Sequence, residues 1–370
     1  MIPLRIGALG AGGFGLFALQ QFLQIPHVQL VGMAGTHREA ALAMMRRFGV
    51  PDVVSQEALL GDPGIDLVYI ATPPFLHYQQ ARASLLAGKH VICEKPLALT
   101  IEEADDLVSL AKSANLLCIA NLMQRYNPVF ESVRQVIESK ALGEFLHGSF
   151  DNFAADEGLS PEHWFWDRAK SGGIFIEHGV HFFDIFEGWL GAGKVVSAQR
   201  CMRPGTDIEE QVQCTVRYPG GALVNFHHSF TQPSRLDHQE FRLGFERGEI
   251  FLEEWVPVRV RVRGAVNEEQ TRILTDLFPG AQLDVIKTYG GRDRAARGRH
   301  KELDISQQVE MHGGAGDDKM RRYCELLRDL FADQVAWLKD RKHIRKITER
   351  NGRDSLALAV SANMLAKNSP

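Results

Sequence analysis

The chain has 370 residues, 45% hydrophobic and 24% charged, with a formal net charge of -4. That is enough material for two domains with cores of their own, and the charge gives no general attraction to nucleic acid. No apolar run reaches the roughly 18 residues of a membrane-spanning helix; the opening Met1-Ile2-Pro3-Leu4-Arg5-Ile6 carries no secretory pattern; and five scattered cysteines, never spaced C-x-x-C, point to reduced thiols in a cytoplasm rather than a disulfide frame or zinc knuckle.

The first third alternates strand and helix. Residues Leu4 to Leu9 form a short apolar run, the turn Gly10-Ala11-Gly12-Gly13-Phe14-Gly15 follows, and Leu16, Leu19, Phe22 and Leu23 recur at helical spacing. Gln29 to Ala34 is a second strand, and His37 to Phe48 reads as a helix opened by the capping box of Thr36 and Glu39. Asp66 to Ala71 is a strand ending at Thr72-Pro73-Pro74. His77 to Leu86 is a helix stopped at Gly88. After the strand His90 to Cys93, Thr100 and Glu103 cap a helix running to about Ala114, and Leu117 to Ala120 is the last strand of the series. This alternation predicts a doubly wound parallel α/β sheet over residues 1–122.

Beyond it the pattern changes. Tyr126-Asn127-Pro128 opens a helix from Val129 to Ser139, and a second helix is expected over Gly172 to Leu190. Strands follow at Val195 to Met202, Glu210 to Tyr218, Ala222 to Phe230, Glu240 to Phe245, Glu249 to Glu253 and Val258 to Val262, with Pro219-Gly220-Gly221 as a hairpin turn. Helices at Lys319 to Asp340 and Asp354 to Lys367 close the chain. Consecutive strands joined by short turns make residues 123–370 an α+β domain with a mostly antiparallel sheet. Arg259, Arg261 and Arg263 alternate with valines and read as a solvated row or edge protection. The stretch Arg292 to Lys301 reads as a basic solvated loop.

The glycine turn carries chemistry. Gly10 permits a tight turn, Gly12 lets backbone approach a pyrophosphate, and Gly15 lets the first helix pack closely; with Gly13 and Phe14 they open a helix whose N-terminus offers amide donors to negative charge. A G-x-G-x-x-G after a first strand and before a first helix is the dinucleotide-binding context. The acidic residue expected about 20 positions on, to hold the ribose hydroxyls of NAD, is absent. Position 35 is glycine, while Thr36 and Arg38 offer a hydrogen bond and a charge to a 2′-phosphate, so NADP is expected ahead of NAD.

The tripeptide Glu94-Lys95-Pro96 places a lysine just past a strand of this domain, where ligands of such sheets sit. Pro96 disfavours helix at Lys95 and keeps the chain extended there. Further on, Glu177, His181 and Asp184 stand at i, i+4 and i+7 and are expected on one helix face. Histidine titrates near neutrality and suits removal of a hydroxyl proton as hydride leaves carbon. A lysine would stabilise the charge developing on the oxygen. A metal is not expected, because Glu177, His178, His181 and Asp184 spread over two turns and cannot all meet one ion.

With the glycine turn, Ala71-Thr72-Pro73-Pro74 followed by His77, Glu94-Lys95-Pro96, and Gly172-Gly173 ahead of Glu177-x-x-x-His181-x-x-Asp184, the chain resembles the Gfo/Idh/MocA family of oxidoreductases over nearly its whole length. The resemblance implies an NAD(P)-binding Rossmann domain and a substrate-binding, oligomer-forming second domain. It implies Lys95 and His181 as catalytic residues with Glu177 beside them, where the family usually has aspartate. Thr72, Pro73, His77, Glu94 and Lys95 are expected to join the glycine turn and Gly35 in holding the cofactor; Arg125, Tyr126, Trp164, Lys170 and Asp184 are expected to line a sugar-sized pocket. The reaction implied is hydride transfer between nicotinamide and a sugar, cyclitol or related polyol. The alternatives are a glycosidase-like enzyme with transient oxidation and a non-catalytic dinucleotide sensor. An open sheet face makes a homo-oligomer, dimer or tetramer, the expected state.

Overall fold

Five short apolar runs in the first third pair side by side in a computed structural model that describes residues 3–10, 12–35, 46, 55–156, 158–314 and 318–367. They are β1 (Leu4–Leu9), β2 (Val28–Ala34), β3 (Leu67–Ile70), β4 (His90–Cys93) and β5 (Cys118–Ala120). All their pairings are parallel, in the order β2-β1-β3-β4-β5. Parallel strands are buried on both faces, which is why β3 and most of β4 read as unbroken apolar runs. The strands following β1 go to opposite sides of it, so a crevice is expected past the carboxyl ends of β1 and β3. On one face Phe22, from the helix Gly13–Phe22, stacks on Phe331 at 4.6 Å and meets Tyr69 of β3 edge-on at 5.1 Å. The expected capping box is present on the helix Ile101–Ala114, with Thr100 accepting from the Glu103 amide. The helix expected over His37 to Phe48 lies, apart from Arg46, outside the described residues.

The chain divides into two compact units: Met1–Met123 with Ser160–Asp184 and Cys324–Asn363, and Gln124–Leu159 with Ile185–Tyr323 and Met364–Pro370. The first unit thus takes in two later stretches of chain.

The second unit is built on a nine-stranded sheet. Its strands are β6 (Phe145–Ala155), β7 (Lys194–Met202), β8 (Glu209–Arg217), β9 (Leu223–Gln232), β10 (His238–Phe245), β11 (Gly248–Glu253), β12 (Val260–Val266), β13 (Gln282–Thr288) and β16 (Gln307–Gly313). A separate two-stranded arm pairs β14 (Ala295–Gly298) with β15 (Lys301–Asp304). The order in the large sheet is β13-β16-β12-β11-β10-β6-β9-β8-β7, antiparallel except for the parallel pair β6 and β9. One face is packed by Phe150, Phe226 and Phe241, which meet Phe186 and Phe130.

Several expectations are corrected here. The central strand β6, the outer strands β13 and β16 and the helix Glu268–Leu277 were not foreseen. The stretch Arg292 to Lys301 is a hairpin arm rather than a loop: Arg294 is gripped by Glu268 and Asp304, while Arg299 and Lys301 both pair with Glu246. The arginine row is not edge protection, because β12 lies between β11 and β16. Arg263 reaches Glu310 at 3.3 Å and Arg261 lies 4.4 Å over the Phe251 ring. The helix ending the chain begins at Glu349, five residues before the expected Asp354.

Candidate active site

The glycine turn meets the end of β3. Gly10 has φ +99°, and a Cβ there would lie 2.5 Å from the Ala71 carbonyl oxygen; one at Gly15 would lie 2.3 Å from the Ala71 Cβ. Both positions therefore exclude any side chain. Gly12 and Gly13 differ, since a Cβ at either would face open space, and no side chain caps the helix that Gly12 introduces. The first turn of a helix leaves amide donors unused by the helix itself. Open space above such amides fits the pyrophosphate of a dinucleotide. Gly35 closes β2 without a carboxylate, and Thr36 and Arg38 lie outside the described residues.

The strand ends beside the turn are tied together by buried polar groups. The His77 ring, fully buried, has Nδ1 2.6 Å from the Pro96 carbonyl oxygen and Nε2 2.7 Å from that of Thr72. It joins the loops after β3 and β4 and reaches no surface where a ligand could touch it. Burial lowers its pKa, and hydrogen bonding to the two carbonyls opposes the shift. Thr72 donates its hydroxyl to Gln80 at 2.6 Å. Glu94, at the end of β4, accepts from the Tyr69 hydroxyl and from Asn121 Nδ2 at 2.9 Å. Burial pushes its carboxyl up to about 6 despite those donors and the neighbouring Lys95 charge. Sequence reasoning passed over Tyr69 and Asn121, which sit at strand ends within no recognisable motif.

Lys95 follows directly, and its peptide bond to Pro96 is cis. The ammonium Nζ donates to both the backbone oxygen and Oε1 of Glu177, each at 2.6 Å. Both side chains are largely buried, 17% and 11% exposed. The expected helix over Gly172 to Leu190 begins only at Ile174 and is not regular α-helix throughout. Instead a single turn, Arg168–Ser171, ends at two positive-φ glycines, Gly172 (+83°) and Gly173 (+87°); Phe175–Gly179 is a π turn, and the α-helix runs from Val180 to Leu190. Glu177 thus lies in the π turn, not at i−4 of a regular helix. Such turns are frequent at functional sites.

His181 is on the first α-turn and 4% exposed. Burial first, and the Lys95 charge second, hold its pKa well below the ordinary histidine value, so the ring is neutral near pH 7. Asp184 is buried too, and its Oδ1 accepts from Asn351 Nδ2 at 3.2 Å. Of the other expected residues in the first unit, Trp164 packs on His163 and Phe165, and Lys170 pairs with Asp167 at 3.1 Å. Arg125 and Tyr126 belong to the second unit. There the Arg125 guanidinium lies against Gly188, where a Cβ would come within 2.0 Å of Nη1. The structure brings together a fixed cation, a carboxylate and a neutral imidazole, a set able to hold an alcohol oxygen and accept its proton.

Comparison with known proteins gives the chain a family. Residues 4–122 match the family model described as "Oxidoreductase family, NAD-binding Rossmann fold", and residues 130–251 match the GFO/IDH/MocA C-terminal domain. The chain is 30% identical over 211 residues to a 1,5-anhydro-D-fructose reductase of Ensifer adhaerens, a match covering 55% of this chain and 62% of that protein. It is 26% identical over 300 residues to a scyllo-inositol 2-dehydrogenase (NAD(+)) of Bacillus subtilis strain 168, covering 78% and 81% of the two chains. Among solved structures, a levoglucosan dehydrogenase in complex with NADH and L-sorbose superposes with a TM-score of 0.78 at 20% identity, covering 99% of this chain and 97% of that one. With both of its domains matched by models of one family, the chain belongs to the Gfo/Idh/MocA oxidoreductases.

Proposed function

We propose that the protein is an NAD(P)-dependent dehydrogenase or reductase acting on a CH–OH group of a sugar, cyclitol or related polyol. The observation that carries the reading is the Lys95 ammonium fixed at 2.6 Å by two oxygens of Glu177, with the buried His181 four residues on. Residues 1–122 would hold the dinucleotide, through the backbone at Gly10 to Gly15, Gly35 and the strand ends at Thr72, Pro73 and Glu94. Residues 123–370 would supply most of the substrate and oligomer surfaces, with Arg125, Tyr126, Trp164 and Lys170 on the substrate side. Asp184 joins that set and is, like Tyr126, buried. The bound nicotinamide supplies the acceptor or donor of hydride. The chain's residues do the rest.

Two of the three Nζ donors of Lys95 are occupied by Glu177, which leaves one to bond the reacting oxygen as negative charge develops on it. A neutral His181 is in the form that accepts the hydroxyl proton at an imidazole nitrogen, and the nearby Lys95 charge favours that form. The same ring carries the proton in either direction, returning it to the oxygen when a carbonyl is reduced. NADP is the preferred cofactor, because Gly35 offers no carboxylate to the ribose. The reading puts the protein in the cytoplasm, in keeping with its scattered cysteines, and takes it as a homo-oligomer.

The test is a panel of sugars and cyclitols with NAD and NADP, followed by nicotinamide absorbance. Steady formation of reduced cofactor with at least one polyol is expected. Tight dinucleotide binding without turnover on any of them would refute the reading.

A further inference from the structure

The helix Glu349–Lys367 touches both halves of the candidate site. Asn363 Nδ2 donates to the Gly172 carbonyl at 2.8 Å, at the start of the stretch that carries Glu177 and His181. Asn351 Nδ2 donates to Asp184 at its end. Twelve positions separate Gly172 from Asp184, and twelve separate Asn351 from Asn363. The two stretches run antiparallel, the one from Asn351 to Asn363 about 18 Å long at α-helical rise, and they are pinned at both ends. Between the pins the helix presents Ser355, Leu356, Ala359 and Ala362, all fully buried. Small residues there let helix backbones approach closely.

The same helix also meets the Lys95 loop. Gly352 is adjacent to Asn351, and a Cβ added to it would lie 3.0 Å from the Ala120 Cβ and 3.2 Å from that of Leu97, two residues past Lys95. One element therefore fixes the position of Leu97 on one side and of Gly172 and Asp184 on the other. The stretch it pins contains the π turn Phe175–Gly179, whose register competes with ordinary α-helix. Holding both ends fixes how many residues must fit between them.

We infer that Asn351, Gly352 and Asn363 are positioning residues: the last helix acts as a jig that sets Glu177 and His181 against Lys95. The inference builds on the reading of those three residues as the reactive set, and its own test is made independent of it. Amide exchange across residues 173–183 is measured in the full-length Asn351→Ala and Asn363→Ala proteins, beside kcat and dinucleotide affinity. Exchange in that window is expected to rise at least about 10-fold above its surroundings, a local opening rather than a global one. Turnover is expected to fall about 10- to 100-fold, the scale of a sub-ångström to ångström misplacement, with dinucleotide Kd within about twofold.

Exchange that is unchanged, or raised uniformly through the chain, overturns the jig whatever happens to turnover. A local rise with turnover retained upholds the jig and removes Glu177 and His181 from the chemistry. Should Asn351→Ala not fold, Asn363→Ala, which removes the neutral bond to the Gly172 carbonyl, carries the same test. Gly352→Ala adds a methyl group against Leu97 and should lower kcat without opening residues 173–183.

Discussion

Replacing Lys95 by alanine separates what this lysine does for the fold from what it does for a reaction. In the native chain its ammonium satisfies the Glu177 carbonyl and carboxylate at 2.6 Å, and the carboxylate is 11% exposed. Removing it leaves a mostly buried anion and a buried carbonyl without their donor. A lost charged hydrogen bond costs about 1.5–3 kcal/mol, and breaking a fully buried ion pair about 3–5. With the exposure that remains here, a loss of about 2–4 kcal/mol in unfolding free energy is expected. Loss of one aimed donor to a developing oxyanion costs about 100- to 1,000-fold in kcat. The double variant Lys95→Ala/Glu177→Gln removes the stranded charge and should regain at least about 1 kcal/mol of stability while recovering none of the turnover. Urea melts and single-turnover nicotinamide absorbance measure the two effects side by side. If turnover drops less than about threefold, roughly 0.65 kcal/mol of barrier, or returns along with stability in the double variant, the electrostatic role of Lys95 is wrong.

Gly15→Ala should destabilise by about 1–3 kcal/mol through its clash with Ala71; Gly12→Ala, which faces open space, should cost under about 1 kcal/mol yet weaken dinucleotide binding, and equal effects on affinity and stability at both positions would contradict the assignment of Gly12. Gly35→Asp should shift the NAD-to-NADP affinity ratio toward NAD by about tenfold, or 1.4 kcal/mol; titrations that leave the ratio unmoved would remove the case for NADP. Acid should destabilise the chain below about pH 6.5. His90 titrates at about 4, His228 at about 3 and His181 well below its ordinary value, all because of burial, so the unfolded chain binds more protons and stability falls as pH falls through that window. Glu94, raised to about 6, works the other way between about 4.5 and 6. Each histidine contributes up to about 2 kcal/mol between pH 6.5 and 5, and urea midpoints that hold level or rise over that range would contradict the net sign.

The first unit's sheet was legible because its physics is local. Buried parallel strands read as apolar runs, and Thr100 with Glu103 announces its helix directly. Lys95, Glu177 and His181 were legible as types and spacings, but the π turn was not, since nothing in Phe175-Ile176-Glu177-His178-Gly179 differs from an α-helical sequence. The stretch that contains it is tied near both ends to residues far along the chain, Asn363 and Asn351, and such ties leave no local signal. The dipeptide Asn351-Gly352 reads as a turn and hid the true start of its helix. Here the glycine is needed for contact with Leu97 and Ala120, and the asparagine for Asp184. Strand β6 was obscured by Asn152 and His147, polar residues in an element whose register is set by β9 and β10 on either side. The arm β14–β15 was misread because its basic residues have carboxylate partners far away in sequence.

The discontinuity of the first unit has a consequence for how the protein is made. Its sheet is complete once residue 123 has been synthesised, but Glu177 and His181 arrive only after a connection that contains β6, and the helix that pins them contributes to the same unit as far as residue 363. At ribosomal rates of about 5–20 residues per second, roughly 10 to 50 seconds separate those two events. Through that interval a nascent chain carries the strands of the sheet while Phe22 still lacks Phe331, and the segment from Gly172 to Asp184 still lacks Asn351 and Asn363. The first unit therefore cannot close until residue 363 has been made, and a product interrupted before residue 349 would leave residues 172–184 without either pin.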